Sequence, residues 1–137
     1  MTLDIILVTY NSSKYIKKCI ETIIESEYNL KHIGIKVYDN ASTDNSITIL
    51  EELKTKYEKE LNSFQIIKGK KNIGFGKANN LAAKTSNAKY LLFLNIDCEI
   101  YPDTLKKIEE NIQKYKKFGI LELKQEPYEH PKYYDPI

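Results

Sequence analysis

The sequence predicts an α/β domain built on a largely parallel sheet, and three observations carry that prediction. Short β-branched or aromatic apolar runs alternate with segments whose apolar residues recur at helical spacing. Such alternation is the mark of βαβ units. Polar segments rich in Asn, Asp and Gly follow the apolar runs. In a parallel sheet those segments all leave from the carboxyl edge, where open α/β sheets bind ligands. A chain of 137 residues fits one domain and buries a substantial core.

The elements follow in order. Leu3 to Thr9 is a β-branched run and reads as the first strand. Asn11-Ser12-Ser13 interrupts it and supplies helix-capping residue types. Ile16, Cys19, Ile20, Ile23 and Ile24 then mark one face of a helix. Residues 34–38 read as a second strand, and Asp39-Asn40-Ala41-Ser42-Thr43-Asp44 as a polar turn after it. Ile47, Leu50, Leu53 and Tyr57 mark a second helix, and 64–68 a third strand. Residues 74–85 predict a shorter helix with Ala78, Leu81 and Ala82 inward. Residues 90–94 form an apolar run that reads as a buried fourth strand. Pro102 suits the first turn of a helix that Leu105, Ile108, Ile112 and Tyr115 continue. Residues 119–123 read as a last strand. The end of the chain is rich in proline and tyrosine, which predicts an extended segment.

Composition narrows the function classes. Lys and Arg number 21 against 19 Asp and Glu, a net charge of +2, too balanced for a nucleic-acid footprint. The densest basic stretch, Lys68-Gly69-Lys70-Lys71, is either a phosphate contact or a solvated loop. Cys19 and Cys98 have neither disulfide-framework nor metal-site spacing, which fits a reducing cytosol. No apolar run approaches the ~20 residues of a membrane span. The expectation is a cytoplasmic protein, peripheral at the inner face of the membrane if its acceptor is membrane-bound.

Each polar cluster has a chemical reading and a plain one. Asp39 can accept from a nucleobase N–H or a ribose hydroxyl, or simply close an Asx turn. Asp44 stands where a helix begins, so capping is its default role. Gly74 and Gly76 open a helix whose N-terminus favours anions, but a tight turn explains them equally well. They also lack the third glycine of the dinucleotide fingerprint. Asp97 offers oxygen ligands to Mg²⁺ or Mn²⁺, or is a common turn residue.

Four strings occur in a telling order: Val8-Thr9-Tyr10-Asn11-Ser12, then Tyr38-Asp39-Asn40-Ala41-Ser42-Thr43-Asp44-Asn45-Ser46, then Asn72-Ile73-Gly74-Phe75-Gly76-Lys77-Ala78-Asn79-Asn80, then Leu94-Asn95-Ile96-Asp97. Together they resemble the nucleotide-binding part of a family 2 glycosyltransferase, nearest its rhamnosyltransferase-like branch, over residues 3–123. The resemblance implies a Rossmann-like GT-A three-layer sandwich, here truncated. Residues 1–123 would be the sugar-nucleotide-binding part, and 124–137 the start of a missing acceptor half.

The same resemblance implies roles by position. Thr9 and Tyr10 would line the base pocket, Asn11 would join the donor-nucleotide site, and Asp39 would hold the base or ribose. Asn72, Gly74, Phe75, Gly76 and Asn79 would lie near the ribose, diphosphate or sugar. Asn95-Ile96-Asp97 occupies the place of the family's DxD motif, with Asp97 reaching a Mg²⁺ or Mn²⁺ ion. Asn95 replaces the first Asp, and an amide is the weaker ligand, so Asn95 would orient the sugar or the turn. The implied donor is a UDP- or dTDP-linked sugar, and the acceptor a glycan or a lipid-linked molecule. The reaction would be inverting, with a carboxylate base in the second half of the domain. Glu122, Glu126, Glu129, His130 and Asp135 remain as candidates, and none is assigned as the base. A truncated chain would expose a sheet edge and apolar surface, so self-association is expected. Two rivals are weaker. A nucleotidyltransferase would show a Gly- and Arg-rich loop after strand one. A flavodoxin-like or receiver-like binding module would show an acidic or phosphate-binding cluster there. Asn11-Ser12-Ser13 supplies no acidic pocket, although it could bind phosphate weakly.

Overall fold

The computed structural model describes residues 2–115 and 117–126. β1 is Leu3–Thr9, α1 Ser13–Ile24, β2 Ile33–Asp39, α2 Ser46–Tyr57, β3 Ser63–Lys68, α3 Phe75–Ala83, β4 Tyr90–Phe93 and α4 Thr104–Lys114. A single turn of 3₁₀ helix, Leu30–His32, leads into β2. The strand order is β3-β2-β1-β4, and every pairing is parallel. The β1–β2 ladder runs without a break from Leu3 opposite Ile33 to Thr9 opposite Asp39.

β1 and β2 lie inside the sheet and are buried along their whole length. That burial explains their near-continuous apolar character, since helices cover both faces of a central parallel strand. On one face, Ile5, Leu7, Ile33, Ile35 and Val37 meet α1, α2 and Leu105 of α4. On the other, Ile6, Val8 and Tyr38 meet Ala78 and Ala82 of α3. The two alanines let α3 sit close to the sheet. Ile16, Cys19, Ile20 and Ile23 of α1 are all buried, as their spacing predicts. Each buried isoleucine side chain contributes about 1.5–3 kcal/mol. The polar residues Asp4 and Lys36 lie within these strands as a buried ion pair 4.0 Å apart, and Lys36 Nζ donates to Ser63 Oγ at 3.2 Å. Gly34 makes room for them, because a Cβ there would lie 2.1 Å from Asp4 Oδ1.

Four expectations are corrected. β4 is not a buried strand but the edge of the sheet, with Leu91 and Phe93 exposed. α3 packs on β1 and β2 and leaves that face of β4 bare. Residues 119–123 form no strand; the described sheet ends at β4, and Ile120 is exposed. Leu81 is 42% exposed rather than inward, because Ala78 and Ala82 already fill the sheet-facing stripe. The Ser12 hydroxyl caps no helix and donates to the Tyr10 carbonyl instead. Residues 127–137, most of the Pro- and Tyr-rich tail, lie outside the described residues. Among the described residues no helix is long and apolar enough to cross a membrane.

Candidate functional site

Every strand-to-helix connection leaves the same edge of the sheet: 10–12 after β1, 40–45 after β2, 69–74 after β3 and 94–103 after β4. Consecutive strands run outward from β1 to β3, and β4 then returns to the other side of β1. That reversal is a topological switch point, and the crevice outside the strand ends is where such sheets take ligands. The four polar strings therefore leave from one edge of the sheet, as parallel topology implied.

Thr9 and Asp39 end adjacent strands in direct register. Both are buried, Asp39 at 2% exposure. Asp39 Oδ2 accepts the Ser42 N–H at 3.0 Å, closing an Asx turn, so the plain reading of this residue holds. Its other oxygen, Oδ1, is buried without a hydrogen-bond partner, and so is Thr9 Oγ1. A buried polar atom left unpaired costs about 1–3 kcal/mol. Two such atoms lie at the ends of neighbouring strands, and unpaired buried groups of this kind call for a partner that the fold does not supply. Thr9 Oγ1 can donate and accept, whereas Asp39 Oδ1 accepts, so the pair suits a group presenting a donor beside an acceptor.

Asn40 was not among the residues singled out, yet it organises the site. Its N–H donates to the Thr9 carbonyl at 2.8 Å, and its Oδ1 accepts the Ile73 N–H at 2.8 Å. It thereby ties the β3–α3 connection to the ends of β1 and β2. The sequence signal was a polar residue directly after a strand, which its neighbour Asp39 shared. Within the β3–α3 connection, Asn72 Oδ1 accepts the Gly74 N–H at 2.9 Å. Gly74 has φ +85° and ψ 158°, a conformation open almost only to glycine. Nothing lies within 4 Å of where a Cβ on Gly74 or Gly76 would sit, so the entry to α3 faces open space. Phe75 is exposed there. Asn79 is buried, and its Nδ2 donates back to the Phe75 carbonyl at 3.1 Å. Tyr10, in the β1–α1 connection, is half exposed.

The β4–α4 connection is pinned by two isoleucines. Ile96 and Ile100 pack into the core beneath α1, while Asn95 and Asp97 alternate outward. The Asn95 carbonyl accepts the Cys98 N–H at 3.0 Å, and Thr22 Oγ1 accepts the Ile100 N–H at 3.3 Å. Ile96 is thus an apolar anchor for the turn. Glu99 pairs with Lys18 at 2.7 Å. Asp97 carries no hydrogen bond or ion pair among the described residues. Burial pushes the Cys19 thiol up to about 12, helped by the neighbouring Cys98, Asp97 and Glu99. That thiol is inert at neutral pH.

An exposed, unpaired carboxylate on a fixed turn fits a hard divalent cation, which takes oxygen ligands and bridges to phosphates. No group of three or more His, Cys, Asp or Glu side chains able to hold a metal occurs among the described residues. The fit is therefore to one protein carboxylate plus ligand oxygens, not to a cage. Of the base candidates, Glu126 is engaged by Tyr101 at 3.0 Å and Lys124 at 3.3 Å. Glu122 also has interaction partners in the fold. Glu129, His130 and Asp135 lie outside the described residues.

A family model described as "Glycosyl transferase family 2" matches residues 4–127. The chain belongs to glycosyl transferase family 2. Membership disfavours the nucleotidyltransferase and binding-module alternatives, and the description names no branch within the family. This family 2 chain is 29% identical over 106 residues to the poly(ribitol-phosphate) beta-N-acetylglucosaminyltransferase TarS of Staphylococcus aureus, covering 77% of this chain and 18% of that protein. It is 30% identical over 105 residues to a poly(ribitol-phosphate) beta-glucosyltransferase of Bacillus spizizenii, covering 77% of this chain and 16% of that protein. The structure of S. aureus TarS 1–349 with UDP-GlcNAc superimposes with a TM-score of 0.76 at 30% identity, over 85% of this chain and 32% of that one. The mannosyltransferase PcManGT of Pyrobaculum calidifontis, solved with GDP-Man and Mn2+, gives a TM-score of 0.75 at 20% identity and shares the fold. The family 2 chain thus spans under a fifth of the two curated relatives and about a third of the matched structures. The Rossmann-like GT-A architecture expected from the sequence is the observed one.

Proposed function

We propose that this family 2 chain holds the nucleoside diphosphate of a UDP- or dTDP-linked sugar at the carboxyl edge of its sheet, as the donor side of an inverting glycosyltransferase. The observation that carries the reading is the pair of buried, unpartnered oxygens, Thr9 Oγ1 and Asp39 Oδ1. A pyrimidine of the uracil or thymine type presents an N–H flanked by carbonyls, which complements an acceptor beside a hydroxyl. The neighbouring Tyr10 and Asn11 complete the base side. Asn72, Gly74, Phe75, Gly76, Asn79 and Asn95 serve the ribose, diphosphate and sugar, and the open space at Gly74 and Gly76 supports that assignment. Asp97 would hold Mg²⁺ or Mn²⁺. A bound divalent cation stabilises the charge that develops on a departing nucleoside diphosphate. The names of the relatives support a beta-directed transfer to a glycan, polyol phosphate or lipid-linked acceptor. None of the described residues is assigned as the base that takes the acceptor's proton.

The reading extends to partners and place. Two free cysteines, one buried, support a reducing cytoplasm, with attachment at the inner membrane face where an acceptor is lipid-linked. Leu91 and Phe93, exposed on the strand that edges the sheet among the described residues, support self-association with a second copy. Calorimetric competition tests the base assignment. UDP and dTDP are expected to bind alike, and GDP and ADP at least tenfold more weakly. Equal affinity for purine and pyrimidine diphosphates contradicts the reading.

A further inference from the structure

The connections 10–12 and 40–45 are bound to each other by contacts that neither strand pairing nor helix formation requires. The Asn11 N–H donates to Ser42 Oγ at 2.9 Å, the Ser12 N–H to Ser46 Oγ at 2.9 Å, and the Ser13 N–H to Asp44 Oδ2 at 3.1 Å. In return the Thr43 N–H donates to Asn11 Oδ1 at 2.8 Å. Asp44 Oδ1 accepts the Ser46 N–H at 2.9 Å, so one carboxylate joins the first turn of α1 to the first turn of α2. Both helices present the positive end of their dipoles to it. Desolvation works against its charge, but the hydrogen bonds from Ser46 and Ser13 outweigh that and bring Asp44 down to about 2. Asn11 and Ala41 stand at φ +49° and +65°. Such left-handed residues persist only where their surroundings impose them, and the cross-linked loops do so here. The chain of contacts ends at the buried Asp39: Asn11 is held by Ser42, and the Ser42 N–H holds Asp39 Oδ2.

We propose that Asp44 is a positioning residue for nucleotide binding. By clamping the two connections it holds the Thr9 hydroxyl and Asp39 Oδ1 side by side at the ends of β1 and β2, and it does not touch the ligand. The inference rests on the nucleotide reading above and adds a residue for which sequence alone suggested only capping. The test is calorimetry of the full chain with two probes, UDP with Mn²⁺ and inorganic pyrophosphate with Mn²⁺. Asp44→Ala is expected to weaken UDP ~10-fold, the size of a lost charge-assisted contact. Asp44→Asn keeps one of the two acceptors and is expected to fall between wild type and Asp44→Ala. Ser42→Ala, which removes a different link of the same clamp, is expected to weaken UDP as well, and it keeps the test decisive if the Asp44 variants do not fold. Pyrophosphate affinity, which reports on the Asp97 side, is expected to stay within twofold in all three. UDP affinity within twofold of wild type in the folded variants overturns the proposal, provided Asp39→Asn still loses UDP. An equal loss of pyrophosphate and UDP also overturns it, because that marks general loosening of the fold. Failure of the wild-type chain to bind UDP overturns the nucleotide reading itself and this inference with it.

Discussion

Replacing Asp39 with asparagine separates stability from binding at one atom. Oδ2 already has the Ser42 N–H at 3.0 Å, and an asparagine carbonyl in that position keeps the turn. Oδ1, buried and unpartnered, becomes an NH₂. In the free protein the change removes a buried, half-satisfied carboxylate, whose desolvation penalty is about 1–3 kcal/mol. Asp39→Asn is therefore expected to leave the fold as stable as wild type or up to ~2 kcal/mol more so, a rise of a few degrees in Tm. In the complex the change sets a donor against the pyrimidine N–H where an acceptor stood. Losing a hydrogen bond to a charged group costs ~1.5–3 kcal/mol, or about 10- to 150-fold in Kd. Thermal unfolding and UDP calorimetry on the same preparation read both effects. UDP affinity within twofold of wild type refutes the reasoning. So does a fall in Tm beyond about 5 °C, which would mean that Oδ1 has an intramolecular role.

Three further outcomes follow from the same structure. Gly74→Ala meets no steric obstacle but must hold φ +85°, so it is expected to cost ~1–3 kcal/mol by urea unfolding through backbone strain alone; an unchanged midpoint contradicts this. Asp44 has a folded value depressed to about 2 from an ordinary 3.8, so its stabilising contribution is complete above pH 3.8 and is lost as pH falls towards 2. Asp44→Asn should accordingly flatten the acid limb of the stability profile in that window, and an unchanged limb argues against the clamp. Self-association through β4 should show as a concentration-dependent mass in light scattering that Phe93→Ser lowers; a wild-type chain that stays monomeric at every concentration rejects it.

Much of the fold was legible because local pattern and tertiary role agree. β1 reads as a buried strand from its β-branched run, and α1 reads as a helix from the spacing of Ile16, Cys19, Ile20 and Ile23, all buried. The strand at residues 90–93 is as expected, but its burial and that of Leu81 are not encoded locally. An apolar side chain does not encode which helix covers it, and α3 stops short of β4. Residues 119–123 have the composition of a strand but no neighbour among the described strands to pair with.

The candidate site divides similarly. Thr9, Asp39 and Asp97 were legible as polar residues ending apolar runs. The links among Asn11, Ser42, Asp44 and Ser46 were not, because they join segments 31 to 34 residues apart and depend on β1 lying beside β2. Asn40 was hidden for the same reason, since its partners are the end of β1 and the residue before Gly74.

On the proposed function, a nucleoside diphosphate and a divalent cation bind together at this edge, through Asp97. The most direct test is UDP titration by calorimetry with Mn²⁺ and with a chelator, on wild type and Asp97→Ala. Mn²⁺ is expected to tighten UDP binding to wild type at least tenfold, and Asp97→Ala is expected to bind UDP weakly and equally with or without the ion. No UDP binding by the wild type at millimolar concentration, or a Mn²⁺ effect that survives in Asp97→Ala, would contradict it.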